Sequence, residues 1–297
     1  MAASLNRAAF FDAVRRTPFN GGLTASQVSG MDAMLDMAPP DMGIALLAYS
    51  FATAAWETGK QMQPVSENLN YTSAARIRQV WPSRFPTLAS AEPYVRNPQA
   101  LANKVYGGRL GNKLPTDGWD FRGMGLVQAT ARDNARRATG RLQDLGYLTR
   151  SQDLEVTPSL MLTPDVAAAM LFVGLSEGWY TGKKLADYFG PGRENPTNAR
   201  AMVNPDTNGP AVATLYTAFK AALVAAGYEP NAVAPSIPTP PVTVAPIPSA
   251  SPSPLVQPAP RKSGVLPAPK PLPEPTYDVK PSWGSRLTSW LMRPWFG

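Results

Sequence analysis

Two residue types are missing altogether from this chain of 297 residues: it has no cysteine and no histidine. Without cysteine there is no disulfide, no thiol nucleophile and no thiolate-held zinc or iron–sulfur centre. Without histidine there is no Ser-His-Asp triad, no Cys-His dyad and no imidazole-ligated metal. Acid–base chemistry near neutral pH therefore falls to Asp, Glu, Lys or Tyr, and neither a metal nor a cofactor is expected. Charged residues are also scarce, at 16% against about a quarter in an average chain. Their balance is one-sided: 28 Lys and Arg against 21 Asp and Glu give a net charge of +7. Such a surface suits an acidic polymer or an anionic membrane face, and it also serves plain solubility.

Long apolar runs are missing too. Residues 1–19 are interrupted by Arg7, Arg15 and Arg16 and do not form the apolar core of a signal peptide, so synthesis without an export signal of its own is expected. The most apolar stretch, 42–56, falls short of the ~20 residues of a membrane span and reads as a buried helix.

Proline, by contrast, is abundant and localised. Sixteen of the 33 prolines lie between residues 231 and 281. At that density the backbone loses donors and is biased toward polyproline II, which predicts an extended linker without a core. The segment 282–297 beyond it places Trp283, Leu287, Trp290 and Leu291 at helical spacing beside Arg286 and Arg293. That pattern predicts an amphipathic anchor for an anionic membrane or a docking peptide for a protein partner; a tail folded back on the main domain is the alternative. The domain plan is thus 1–230, 231–281 and 282–297.

Residues 1–230 read as mainly helical. Apolar spacing predicts helices over 8–14, 24–37 (opened by the N-cap Thr24), 41–59, 132–139, 164–176 and 210–226. Between residues 61 and 130 the chain is rich in Gly, Pro and Asn and is expected to be loops and short elements, long enough to carry a functional surface. Val, Ile and Thr rarely alternate, so any sheet is small.

The chemistry concentrates at the end of the long helix. Trp56-Glu57-Thr58-Gly59 puts a carboxylate where glycine stops an apolar helix, so the surroundings of Glu57 are low in dielectric and its pKa should rise, as a general acid requires. Glu67 follows in the next loop. A helical acid facing a loop carboxylate is a workable pair for glycoside hydrolysis, although two glutamates ten residues apart are by themselves commonly just solvated charges. Of the aromatics, Phe85 is expected in a core, while Trp81 and Trp119 are open between core and sugar stacking. Tyr71 and Tyr106 could contact substrate or serve structure. Arg132, Arg136, Arg137 and Arg141 recur at helical spacing, which predicts a solvated basic face.

Further motifs stand in a fixed order: the Glu-Thr-Gly helix end, Trp-Pro-Ser-Arg-Phe at 81–85, Tyr-Gly-Gly-Arg at 106–109 and the Gly-rich helix entry at 123–130. Over about residues 42–210 this series resembles glycoside hydrolase family 19, in its bacteriophage endolysin branch. The resemblance implies a two-lobed, mainly α, lysozyme-like (α+β) domain with a sugar-binding groove. It implies Glu57 as general acid, Glu67 as the base or water-holding carboxylate, and Gln128, Thr130, Asn134 and Asn204 as substrate-binding residues, with inversion at the anomeric carbon. Three departures stand out: Trp56 replaces the family's usual histidine, Arg122-Gly123-Met124-Gly125 replaces Arg-Gly-Arg-Gly, and Asn204-Pro205-Asp206 replaces Asn-Gly-Gly.

The function so implied is a peptidoglycan-cleaving glycosidase of lysozyme type. It would wait in the host cytoplasm before acting on the wall in the periplasm, or be carried in a virion. Its partner is peptidoglycan, nucleic acid is not expected, and a soluble endolysin of this kind would be monomeric. The alternatives are a chitinase, a wall-binding virion protein without catalysis, and a membrane-active protein whose 282–297 segment is the effector.

Overall fold

The computed structural model describes residues 4–231; the linker beyond Asn231 and the 282–297 segment lie outside the described residues. In chain order the elements are α1 (Arg7–Arg16), α2 (Ala25–Met37), α3 (Ile44–Glu57), β1 (Val65–Ser66), α4 (Ala74–Val80), α5 (Leu88–Ala91), α6 (Pro98–Tyr106), α7 (Asp117–Asp120), β2 (Met124–Gly125), α8 (Arg132–Asp144), α9 (Pro164–Glu177), α10 (Leu185–Tyr188), β3 (Phe189–Gly190), β4 (Arg193–Glu194) and α11 (Gly209–Ala225). The fold is mainly α, as expected, with two antiparallel pairs, β1 with β2 and β3 with β4.

Local chemistry sets the helix ends. Asn6 caps α1 by accepting from the Ala9 N–H at 3.0 Å. Thr24 and Gln27 form a reciprocal capping box at the start of α2, so two of the unpaired first-turn N–H groups are satisfied. At the other end of α3, Gly59 turns left-handed (φ 58°), and its N–H donates to the Trp56 carbonyl at 3.2 Å while that of Lys60 donates to Ala55 at 2.6 Å. This is a Schellman cap, which a residue with a Cβ would strain. Thr58 completes it, donating to the Ala54 carbonyl at 2.7 Å and accepting from Met62 N–H at 3.1 Å.

Two separate apolar cores result. The larger gathers α1, α2, α3, α8, α9 and α11 around Phe10, Phe51, Phe172 and Phe219. Helix α3 is buried on every side from Leu47 to Ala55 and packs on α11 and α9, which accounts for the 42–56 run as a core helix. No helix among the described residues is long and apolar enough to cross a membrane.

The smaller core corrects an expectation. Residues 61–130 are more ordered than a set of loops: α4, α5, α6 and α7 surround a core of their own containing Leu69, Ile77, Trp81, Phe85, Leu101 and Val105. These helices have four to nine residues, short of the roughly 11–18 residues over which apolar spacing can be read as helical. The two cores make the two lobes.

Candidate active site

Glu57 occupies the last position of α3, and the Schellman cap fixes where its side chain leaves the helix. It is buried, at 4% exposure. Its Oε1 accepts from Nη1 of Arg200 at 2.6 Å. Arg200 is itself buried, and it also grips Asp206, with Nε to Oδ1 at 3.2 Å and Nη2 to Oδ2 at 3.0 Å. One guanidinium is thus shared by two carboxylates, with Asp206 holding the two-pronged contact and Glu57 the single one. The cluster carries one surplus negative charge in a dry place. Burial is the largest influence on Glu57 and pushes its pKa up against the pull of Arg200, while Asp206 adds to the rise. Asp206, less buried and doubly bonded, is held below the usual carboxylate range. A proton added to this cluster therefore goes to Glu57.

Glu67 is placed by the small sheet. Strand β1 pairs with β2 through Val65↔Gly125 and Ser66↔Met124, and the Glu67 N–H extends the pairing to the Gly123 carbonyl at 2.8 Å. A Cβ at Gly123 would lie 2.9 Å from Oε1 of Gln128 and 3.4 Å from Cβ of Glu67, so a larger residue there would have to push the Gln128 amide aside. The carboxylate accepts from the Tyr106 hydroxyl at 2.9 and 3.0 Å and, more weakly, from the Gly123 N–H at 3.4 Å. Burial dominates and raises its pKa to about 7, although Tyr106, Gly123 and the charge of Arg122 all favour ionisation. Glu57 and Glu67 are thus both tuned upward, through separate neighbours, one on the large lobe and one beside the small core.

The remaining sequence candidates divide between these two places. Gln128 has a left-handed backbone (φ 54°), and its Nε2 donates to the carbonyls of Val65 at 2.9 Å and Gly125 at 3.1 Å. It clamps the strand that carries Glu67. Thr130 donates to the Gln128 carbonyl at 3.1 Å, and Asn134 donates through Nδ2 to the Thr130 carbonyl at 2.6 Å. These three form one hydrogen-bonded chain that shapes the 123–134 loop. Asn204 lies on the other side, where its N–H donates to the Arg200 carbonyl at 3.0 Å and its carbonyl accepts from Asp206 N–H at 2.8 Å. It belongs to the turn that delivers Asp206.

Arg200 and Asp206 were not singled out by the sequence as site residues. Arg200 sits on a short 3₁₀ turn, Asn198–Met202, 143 residues from Glu57, and no local pattern announces that pairing. Asp206 stood in plain view as the last residue of the altered Asn-Pro-Asp run; that departure supplies the second carboxylate on the guanidinium. Tyr106, left open between substrate and structure, is the residue that holds Glu67.

The basic helix face is also more specific than a solvated stripe. On α8, Arg132 pairs with Asp117 at 2.6 Å, Arg136 with Asp133 at 2.7 Å and Glu155 at 2.9 Å, and Arg141 with Glu177 at 2.7 Å, while Arg137 donates to the Trp179 carbonyl at 3.1 Å. Phe85 is fully buried and Trp81 nearly so, which puts both in the small core. Trp119 is partly buried, and the Arg122 guanidinium stands 3.8 Å above its ring.

No family model matches the chain. A curated protein of Haemophilus influenzae, described as a glycosyl hydrolase family 19 domain-containing protein, is 44% identical to it over 70 residues, which are 23% of this chain and 34% of that protein. The chain thus spans about a third of the length of the curated relative it matches. Over that stretch it is similar to a glycoside hydrolase family 19 protein, and the likeness supports a glycoside hydrolase.

Proposed function

We propose that the protein is a glycosidase that hydrolyses the β-1,4 bonds of peptidoglycan glycan strands, as a bacteriophage endolysin or virion lysozyme does. The observation that carries this reading is the pair of buried carboxylates, Glu57 at the end of α3 held by Arg200 and Glu67 beside β1 held by Tyr106, both pushed upward by burial. Glycoside hydrolysis needs one carboxyl group to protonate the leaving oxygen and a second to act on the opposite face of the sugar. Glu57 serves as the acid: its proton is favoured by burial and by Asp206 taking the larger share of Arg200. As the leaving oxygen accepts that proton, Glu57 becomes an anion beside Arg200, which is already in place to stabilise it. Glu67, ionised above about pH 7, takes a proton from the attacking water and directs it at the anomeric carbon with inversion. Tyr106 then holds the base, and Gln128, Thr130, Asn134 and Asn204 shape the two rims that receive sugar.

The net charge of +7 supports the acidic wall as substrate over neutral chitin. Digestion of purified sacculi tests the reading. Soluble muropeptides with new reducing ends are the expected product. Free peptides without new reducing ends would overturn it, cleavage of chitin oligosaccharides alone would make the protein a chitinase, and binding without release would leave a wall-binding domain.

A further inference from the structure

A cavity lined in part by Arg122, whose charge also acts on Glu67, lies beside the candidate site. It measures about 420 Å³, within the ordinary range for a small-ligand site. Its floor includes Phe121 and Leu162, and its charged lining is Asp120, Arg122, Arg132 and Glu155. Two of these four are already spent. Arg132 is bound to Asp117 at 2.6 and 3.1 Å, and Glu155 takes two bonds from Arg136 at 2.9 Å each.

Arg122 and Asp120 remain. Arg122 is stacked on Trp119 and anchored by one bond from Nη1 to the Trp119 carbonyl at 2.8 Å. Its Nε is sealed inside the protein and out of a ligand's reach, and among the described residues no carboxylate forms an ion pair with the guanidinium. Asp120 exerts a charge on Arg122, yet its carboxylate accepts no hydrogen bond there. A guanidinium that lines a cavity with no carboxylate bound to it keeps donors of its outer edge for a ligand acceptor. The cavity therefore offers one fixed cation, one anion and an apolar floor.

We propose that this cavity binds a short zwitterionic peptide, the stem carried on the lactyl group of the wall glycan, with Arg122 taking a carboxylate and Asp120 the free amine of its diamino acid. This rests on the peptidoglycan reading and adds its specificity: chitin has no group to place here. Because Arg122 lines the cavity and its charge acts on Glu67, stem binding can be felt by the base.

The test uses the full chain and a synthetic stem tetrapeptide in three forms: native, with the carboxyl groups amidated, and with the side-chain amine acetylated. Calorimetric titration should give binding of the native peptide, at least tenfold weaker binding of either blocked form, and a similar loss in Arg122→Ala and Asp120→Asn. Amidation should cost Arg122→Ala nothing further, and acetylation should cost Asp120→Asn nothing further. Ser159→Trp, on the exposed rim, should block the peptide without touching a buried group and so guards against misfolding of the other two. Absence of peptide binding, or equal affinity for all three forms, would overturn the inference. Cleavage rates keep the two readings apart. If glycan strands stripped of peptide are cut as fast as intact ones, the stem pocket fails while the glycosidase stands. If no glycan is cut but the discriminating peptide binding persists, the glycosidase reading fails and the pocket stands.

Discussion

Replacing Tyr106 by Phe removes a single oxygen and leaves the ring to fill its place in the small core. That oxygen donates to both carboxylate oxygens of Glu67, at 2.9 and 3.0 Å. The hydroxyl bonds favour the ionised form and oppose the desolvation that lifts Glu67 to about 7. The other opposing influences, the long contact from Gly123 and the charge of Arg122, stay in place. A hydrogen bond to a charged group contributes about 1.5–3 kcal/mol, and one pKa unit corresponds to about 1.36 kcal/mol. Without the hydroxyl, Glu67 should titrate roughly one to two units higher, near pH 8–9. As the base it works only when ionised, so the acidic limb of the kcat/KM profile should move upward by the same amount. The rate above that limb should fall much less. The measurement is kcat/KM on a soluble glycan oligosaccharide from about pH 5 to 10, since this ratio reports the groups of the free enzyme. An acidic limb that stays where it is would refute the role given to Tyr106. Movement of the alkaline limb instead would exchange the roles of Glu57 and Glu67.

Glu67→Gln should lose activity by about 10²–10⁴ and yet stabilise the fold. A carboxyl raised from 4.5 to about 7 on folding costs nothing below pH 4.5, and the cost grows to about 3 kcal/mol above pH 7. Thermal unfolding should therefore show a gain for the variant at pH 8 and none at pH 4; an equal shift at both would contradict the linkage. Glu57→Gln should abolish turnover on sacculi with stability nearly unchanged, because Arg200 keeps Asp206 and the cluster becomes neutral; retained lysis would remove Glu57 from the mechanism. Arg200→Ala leaves two carboxylates facing each other in a dry cluster and should cost about 3–5 kcal/mol in denaturant unfolding. A loss below 1 kcal/mol there would mean that the guanidinium is not the counter-charge described. Ala131 has φ 79° and ψ 149°, a region open essentially to glycine alone, so Ala131→Gly should gain about 1 kcal/mol after the extra chain entropy of glycine is deducted. Chemical denaturation would show it, and a loss of stability would mean the strain is absent.

The helical character of 4–231 was legible in the residues because it rests on local effects. Thr24 with Gln27, Gly59 after Glu57 and the unbroken apolar run of α3 act within one or two turns, and the helix bounds they imply agree with the structure to within a few residues, apart from α8, which runs on past Thr139 to Asp144. The placing of Glu57 beside the helix stop and of Glu67 in the loop after it was equally local, although their roles came from the family resemblance rather than from spacing. The ordering of 61–130 could not be foreseen, since helices of four to nine residues are made by packing around Trp81 and Phe85 and leave no period to read. Nor could the electrostatics. The pKa of a carboxyl group depends on which distant charges and donors the fold brings within a few ångströms, and Arg200, Asp206 and Tyr106 come from segments 39 to 149 residues away along the chain. Local spacing singled out two carboxyl groups and the resemblance gave them roles; only the packing of the two cores decided that one shares a guanidinium, that the other leans on a tyrosine, and that Arg122 lines a cavity with no ion pair among the described residues.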